Sequence, residues 1–593
     1  VTRNPIFLFV LFFAVFIAFG LWRNAPYLFT VCDQSGDYAL IALEVEKARQ
    51  WEAWLGPYSR FRFRHPGPIV FYLYSILGGL FPWAKSTFGQ LAFAQLIVNC
   101  LCLAGATLAF ARITKNILLA IILPATAYIV FPLATANIFV NVWGPATVLA
   151  PLLCFLACAL LVMLGYPTFL VGVVAAGTVA FHNHLGTGAF IVPIGLALGI
   201  SIILRIWIPV TRMSWTRAVM ISATVFLALN MLPLLEAFQN PGFGNVGAIV
   251  RFVAKHSPRV TTETAVRIVN LSYVRLTQAP FGCLIGFVCA LLPALVAWRL
   301  KRTISAPLYR ALWGATFFNS ALIILSIWSV TRTIGRLHHY LFWYHYTAIA
   351  MTVAFAVFSV TVWLGQQSSP IMRRVGTGIV LALLGLCFFA GKERVPAQRA
   401  ADSVCGSTYT AAVEQIPRDL PLRFEIARHD QWQRVSAFVL RFYRAGYAIC
   451  VPQAWEFMFG KELSCRGLLM NAPYRTIMLR DSTEYFVPTA DVEQVITTKR
   501  GRLVVARASG VAALPGGALL IGAQARGDPR GPGYNRNIQQ LCAHFQICHS
   551  RALVIDFDSQ FIILNEEIDN STVFVCYIFS AAHGQNGEML RHA

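Results

Sequence analysis

Apolar residues in this chain gather in long runs instead of alternating with polar ones. Such runs occupy 5–22, 88–111, 116–134, 145–164, 166–182, 186–204, 216–236, 281–299, 309–330, 341–364 and 375–391. Each has 17 residues or more, enough for a helix to cross a hydrocarbon core of about 30 Å. The pattern predicts a polytopic α-helical membrane protein with about eleven transmembrane helices. The first run follows Arg3 and has no small-residue cleavage site, so it reads as an uncleaved signal anchor. Val1 fits a bacterial non-ATG start or a trimmed methionine.

The stretch 66–83 is also apolar, and sidedness turns on whether it crosses. If it lies in the interface, the loops 112–116, 205–217, 299–310 and 365–374 share one side with Arg3. They carry Arg112, Lys115, Arg205, Arg212, Arg217, Arg299, Lys301, Arg302, Arg310, Arg373 and Arg374. Lys and Arg favour the cytoplasmic side, so 66–83 is expected as an outer-surface helix. The loop 23–87, the turn His182-Asn183-His184, the loop 237–280 and the turn 331–340 are then outside, as is everything after 391.

Polar character returns at 392. The expected organisation is a transmembrane domain over 1–391 and an extracytoplasmic α/β or α+β domain over 392–593, long enough to fold by itself. PLRFEIA (421–427), WQRVSAFVLRFYRAG (432–446) and YAICV (447–451) read as strand, helix and strand, and 552–564 as one or two strands.

The net charge of +22 raises the question of nucleic acid, but only 12% of residues are charged and 57% are hydrophobic. Positive-inside loops and anionic membrane lipids account for the charge, and no nucleic-acid partner is expected. Cys100, Cys102, Cys154, Cys158, Cys283, Cys289 and Cys387 lie in apolar runs as packing residues. Those of the tail, Cys405, Cys450, Cys465, Cys542, Cys548 and Cys576, can form disulfides in an oxidising compartment. There is no zinc-like CxxC, Walker A, GxGxxG or nucleophile elbow, which leaves a nucleotide-driven pump and a serine hydrolase without support.

Candidate chemistry concentrates in the first outer loop. Asp37 opens the amphipathic stretch YALIALEVEKARQW. A carboxylate there can cap the helix, or accept a proton from an acceptor hydroxyl at the membrane surface. Asp33 is a secondary candidate for that role. Downstream, Tyr58, Arg60, Arg64 and His65 lie in LGPYSRFRFRHPGP, where prolines fix the backbone and Arg forks suit a phosphate bidentately. His182 and His184 flank a span end, either as interfacial structure or as ligand contacts; no neighbouring carboxylate or cysteine suggests zinc. Arg332, Arg336, His338 and His339 are snorkelling anchors or a second phosphate clamp. Asn245 ends the turn NPGFGN, a lid or acceptor contact.

An aspartate just after the first span, a surface helix, a His-Pro turn and a second surface helix resemble the GT-C class of membrane glycosyltransferases. The pattern is similar to lipid A aminoarabinose transferases and protein O-mannosyltransferases. With NVWGP, HNHLG and NPGFGN added, it looks closest to uncharacterised bacterial members. The resemblance implies a GT-C-like fold and a polyprenyl-phosphate-linked sugar as donor. It further implies a glycan, lipid or protein acceptor, Asp37 as catalytic base, and the active face outside the bacterial inner membrane. His65 stands where the family often has a phosphate-contacting lysine. No cofactor is implied, although some members use a divalent metal. Two other readings stay open: a transporter or flippase of lipid-linked glycans, and a non-catalytic envelope scaffold that binds glycan. A transporter would bury ionisable groups near mid-bilayer, whereas here they collect at the outer face.

Overall fold

The computed structural model describes residues 4–29, 34–84, 86–135, 137–204, 212–255, 260–367, 369–389, 413, 415–426, 431–465, 474–480, 492–498, 501–508, 519–522, 552–555, 561–568 and 571–578. Among them, nine helices are long and apolar enough to cross a membrane. They are Pro5–Leu28 (α1), Thr87–Thr114, Gly144–Met163, Leu185–Ile203, Ser214–Gln239, Gly282–Arg299, Ala306–Thr331, His345–Gly365 and Pro370–Cys387. The expected spans 116–134 and 166–182 appear as the shorter apolar helices Ile117–Leu133 and Pro167–Asn183. This is a multi-pass membrane protein. Gly144–Met163 is 94% buried and Ser214–Gln239 only 17%, so the first is the centre of the bundle and the second an apolar surface suited to lipid.

Local chemistry starts these helices where the chain needs them. Asn4 Oδ1 accepts from the backbone N–H groups of Ile6 and Phe7, each at 3.1 Å, and Pro5 takes the first helical position of α1. After α1 come two further helices, Gly36–Arg49 (α2) and Ile69–Gly78 (α3). α3 has ten residues, about 15 Å at 1.5 Å each, roughly half the hydrocarbon thickness. It cannot cross alone.

By packing, the chain divides into two compact units, Val1–Met470 with Arg475–Ala506, and Asn471–Tyr474 with Arg507–Ala593. Composition changes at 392, but α2 and α3 share a core with the segment that follows. Leu40, Leu43, Phe71 and Tyr74 pack in one buried cluster with Phe424, Phe438, Phe442 and Phe459. β1 (Leu422–Glu425), the helix Trp432–Arg444 and β2 (Ile449–Cys450) form a parallel crossover. β3 (Tyr474–Arg480) pairs parallel with β1, and β4 (Val492–Thr498) antiparallel with β5 (Gly501–Ala508), giving the order β2-β1-β3-β5-β4. A disulfide joins Cys450 to Cys465. The second unit holds two antiparallel pairs, β6 (Leu519–Gly522) with β7 (Ala552–Ile555) and β8 (Phe561–Ile568) with β9 (Ser571–Ile578).

Candidate active site

The loop between α2 and α3 folds back on itself. Gly56 N–H donates to the His65 carbonyl at 3.0 Å, His65 N–H to Pro57 at 2.8 Å, and Ser59 N–H to Phe63 at 2.8 Å. Tyr58 and Arg64 face each other across this hairpin. The loop then seats on the end of the helix Leu170–Asn183. A Cβ on Gly56 would meet the His182 carbonyl at 2.7 Å, and one on Gly67 would lie 2.2 Å from the His182 ring. Only glycine permits that approach.

The hairpin, α2 and the bundle enclose a cavity of about 620 Å³, within the range of small-molecule sites. Asp37, Glu44, Tyr58, Arg60, Arg64, His65, Trp143, Asn183, His184, Arg332 and Tyr344 are among its lining residues.

Asp37 lies in the first turn of α2, but Ser35 is the N-cap and its side chain makes no capping bond. The Asp37 carboxylate instead accepts from the Tyr58 hydroxyl and from the side chain of Trp143. Trp143 is set by its neighbours. Asn141 Oδ1 accepts from the Trp143 N–H at 2.9 Å and from the Tyr38 hydroxyl at 3.0 Å, and the Tyr340 ring lies 4.9 Å from the indole. Burial raises the Asp37 pKa above the usual carboxylate value, against the opposing pull of the Tyr58 and Trp143 hydrogen bonds.

Glu44, two turns further along α2, is in a different condition. Burial would raise it, but Arg64 and Lys47 outweigh burial and hold it below the usual range. Arg64 Nη2 lies 2.7 Å from Glu44 Oε1 and 3.1 Å from the Met458 carbonyl. Lys47, with no exposed surface, donates to Glu44 Oε1 at 2.9 Å, to the Phe459 carbonyl at 2.6 Å, and to Glu462. The Arg64 charge, expected on a phosphate, is thus committed to a carboxylate.

The histidines are not cationic either. His65 Nδ1 accepts from the Leu185 N–H at 3.0 Å and the ring stacks on His184 at 5.6 Å. Burial, with His184 beside it, brings the His65 pKa down to about 3. Burial also brings His184 down to about 4, and its Nδ1 accepts from the Gly186 N–H at 3.1 Å. Each ring is neutral at pH 7, so His65 does not bring the charge of a phosphate-contacting lysine to its position. His182 Nε2 lies 3.0 Å from Asn230 Oδ1.

Two arginines line the cavity without a carboxylate partner among the described residues. Arg60 donates to the Arg336 carbonyl at 2.9 Å and lies over the Phe61 ring at 4.8 Å. Arg332 is exposed and lies over Trp328 at 5.7 Å. Arg336 and His338 are exposed and lie outside the lining; His338 stacks on Tyr340 at 5.4 Å. Asn245 clamps the hairpin from the side, accepting from Arg64 N–H and donating to the Arg64 carbonyl, each at 2.8 Å. Asp33 is outside the described residues. Among those described, no three His, Cys, Asp or Glu side chains group as a metal site.

Reading the sequence for ionisable groups missed Trp143, Tyr340 and Asn183. Trp143 and Asn183 sit inside NVWGP and HNHLG, so the turn signals marked their neighbourhood without marking the residues.

No family model matches this chain, and no curated protein matches it in sequence. In structure it is similar to ArnT from Cupriavidus metallidurans in the apo state. The identity is 13%, the match covers 83% of this chain and 97% of that one, and the TM-score is 0.48. A likeness of that size carries no argument about chemistry.

Proposed function

We propose that this protein is a GT-C glycosyltransferase that moves a sugar from a polyprenyl-phosphate-linked donor to a cell-envelope acceptor. The active face is the extracytoplasmic side of the bacterial inner membrane. One observation carries the reading: a part-buried carboxylate, Asp37, is held by Tyr58 and Trp143 in the wall of a cavity whose lining also bears Arg60 and Arg332.

In this scheme the acceptor hydroxyl gives its proton to Asp37. Its oxygen bonds to the anomeric carbon while the bond from that carbon to the phosphate oxygen breaks. The electron pair leaves on the phosphate, and attack from the opposite face inverts the centre. A base with a raised pKa takes the proton more readily at neutral pH. Arg60 and Arg332 meet the charge that grows on the leaving phosphate, and cations placed before the reaction lower its barrier most. The loop bias and the Cys450–Cys465 disulfide both suit an extracytoplasmic site for this chemistry.

The test is Asp37→Asn in native membranes supplied with radiolabelled donor, measuring release of polyprenyl phosphate and label on the acceptor fraction. A general base contributes about 10² to 10⁴ in rate, and a loss of that size is expected at equal protein level. Full transfer by the variant would sink the assignment.

A further inference from the structure

Asn183 ends the helix Leu170–Asn183, beside the segment that positions Asp37; a Cβ on Gly144 would lie 3.1 Å from the Asn183 carbonyl. The residue is 2% exposed and lines the cavity. Neither its Nδ2 nor its Oδ1 has a hydrogen-bond partner among the described residues. A buried amide with both ends unpaired costs free energy, and native interiors avoid it unless something else fills the site. The Asn245 amide, by contrast, uses both ends on the backbone of Arg64.

From this unpaired amide we infer that Asn183 contacts the hydroxyls of the sugar moiety, rather than the phosphate, when the cavity is filled. An amide offers two donors on nitrogen and an acceptor on oxygen. A pair of neighbouring hydroxyls answers both, since each hydroxyl donates and accepts. The donor's phosphodiester, an anion with acceptors only, answers only the donors and turns its charge on Oδ1. The surroundings agree. His184 follows Asn183 in the chain, His65 stacks on His184, and both rings are neutral. Phe181 and Tyr344 lie on the same lining. Arg60 and Arg332, the lining arginines without a carboxylate partner among the described residues, come from other segments and remain for the anion. Asn183 is therefore a specificity-determining contact to a hydroxyl-bearing ring. This assignment rests on the glycosyltransferase reading.

The experiment compares two probes on the full-length protein in detergent: decaprenyl phosphate, and the same lipid phosphate carrying glucose or arabinose. Binding is followed by intrinsic tryptophan fluorescence. The wild-type protein should bind the sugar-bearing probes more tightly than bare decaprenyl phosphate. Asn183→Leu, close to isosteric, should erase that increment, weakening the sugar-bearing probes about tenfold or more while leaving bare decaprenyl phosphate unchanged. Asn183→Ala should give the same pattern and guards against a packing fault specific to leucine. If the variants keep the increment, or weaken both probes equally, Asn183 is filled by water or acts in packing, and the inference falls alone. If the wild-type protein binds neither kind of probe, the polyprenyl-phosphate reading falls and takes this inference with it.

Discussion

Asp37 and Glu44 stand on the same helix, seven residues and about 10 Å apart along its axis, and both line one cavity. Yet their carboxylates are in opposite states. Glu44 has two cations on it, and its pKa is lowered. Asp37 has a phenol and an indole, no cation among the described residues, and its pKa is raised. A charged residue beside a cavity is therefore not yet a site. Where buried opposite charges saturate it, the group fastens structure; where neutral donors only orient it, it stays available for a proton.

The sharpest way to break that contrast is the same chemical change at both positions. Glu44→Gln leaves Arg64 and Lys47 without their shared buried anion. Breaking a buried pair by removing one partner costs about 3–5 kcal/mol, so a large loss of thermal stability is expected at pH 7. Asp37→Asn should instead unfold at a slightly higher temperature than the wild type at pH 7. The signs follow from the shifts. The lowered pKa of Glu44 contributes stability above its unfolded value, lost as pH falls through the folded one. The raised pKa of Asp37 contributes below its unfolded value, and that contribution is lost as pH rises through the folded pKa. Near pH 3, the advantage of Asp37→Asn should vanish. Matching temperature shifts for the two amides would refute the distinction.

That contrast also separates what was legible in the sequence from what was not. Lipid is a uniform apolar solvent, so a run of 17 apolar residues announces a helix without reference to its neighbours. The crossover from Leu422 to Cys450 was equally local, a strand, an amphipathic helix and a strand in order. Asp37 stood out because a polar turn precedes an amphipathic helix. Its holders did not, since Trp143 arrives from another segment of the bundle. Lys47 reads as one more surface charge on α2 until Glu462, 415 residues away, is placed against it. The neutrality of His65 was hidden for a similar reason: a pKa depends on burial, and burial is a property of the assembled loop. The division of the chain was obscured in the same way. The composition shift at 392 marks where spans end, but the apolar face of α2 packs on residues well beyond it.

A smaller effect should divide the arginines of the 331–340 turn. Arg332 lines the cavity, and Arg336 does not. Arg332→Ala should weaken use of the donor about tenfold, the loss of one charge-assisted contact of roughly 1.4 kcal/mol. Arg332→Lys should restore part of it, because a point charge lacks the bidentate fork. Arg336→Ala should leave donor dependence unchanged, since Arg60 uses its backbone carbonyl, which the substitution keeps, and its side chain lies outside the lining. Donor titrations at equal protein level decide the matter. A tenfold loss at Arg336 with none at Arg332 would reverse the placement of the phosphate.

The smallest expected effect tests whether the histidine pair belongs to the neutral floor of the cavity. His65 and His184 have pKa values pulled down to about 3 and about 4, against about 6.5 in the unfolded chain. Between those limits the unfolded state binds more protons than the folded one, so stability falls as pH falls. The loss begins near pH 6.5 and is complete only near pH 3 to 4. Between pH 6.5 and 5.5 it amounts to about 1 kcal/mol for each histidine. Glu44, held below its usual range, adds little in that interval, and the raised Asp37 is present in wild type and variant alike, so it drops out of the difference between them. His184→Asn keeps an acceptor for the Gly186 N–H and removes one titrating ring. The variant should lose less stability than the wild type between pH 6.5 and 5.5, whatever its stability at pH 7. If wild type and variant fall in parallel, His184 is protonated in the folded protein. The cation would then sit beside Asn183 and draw the phosphate, instead of the sugar hydroxyls, to that side of the cavity.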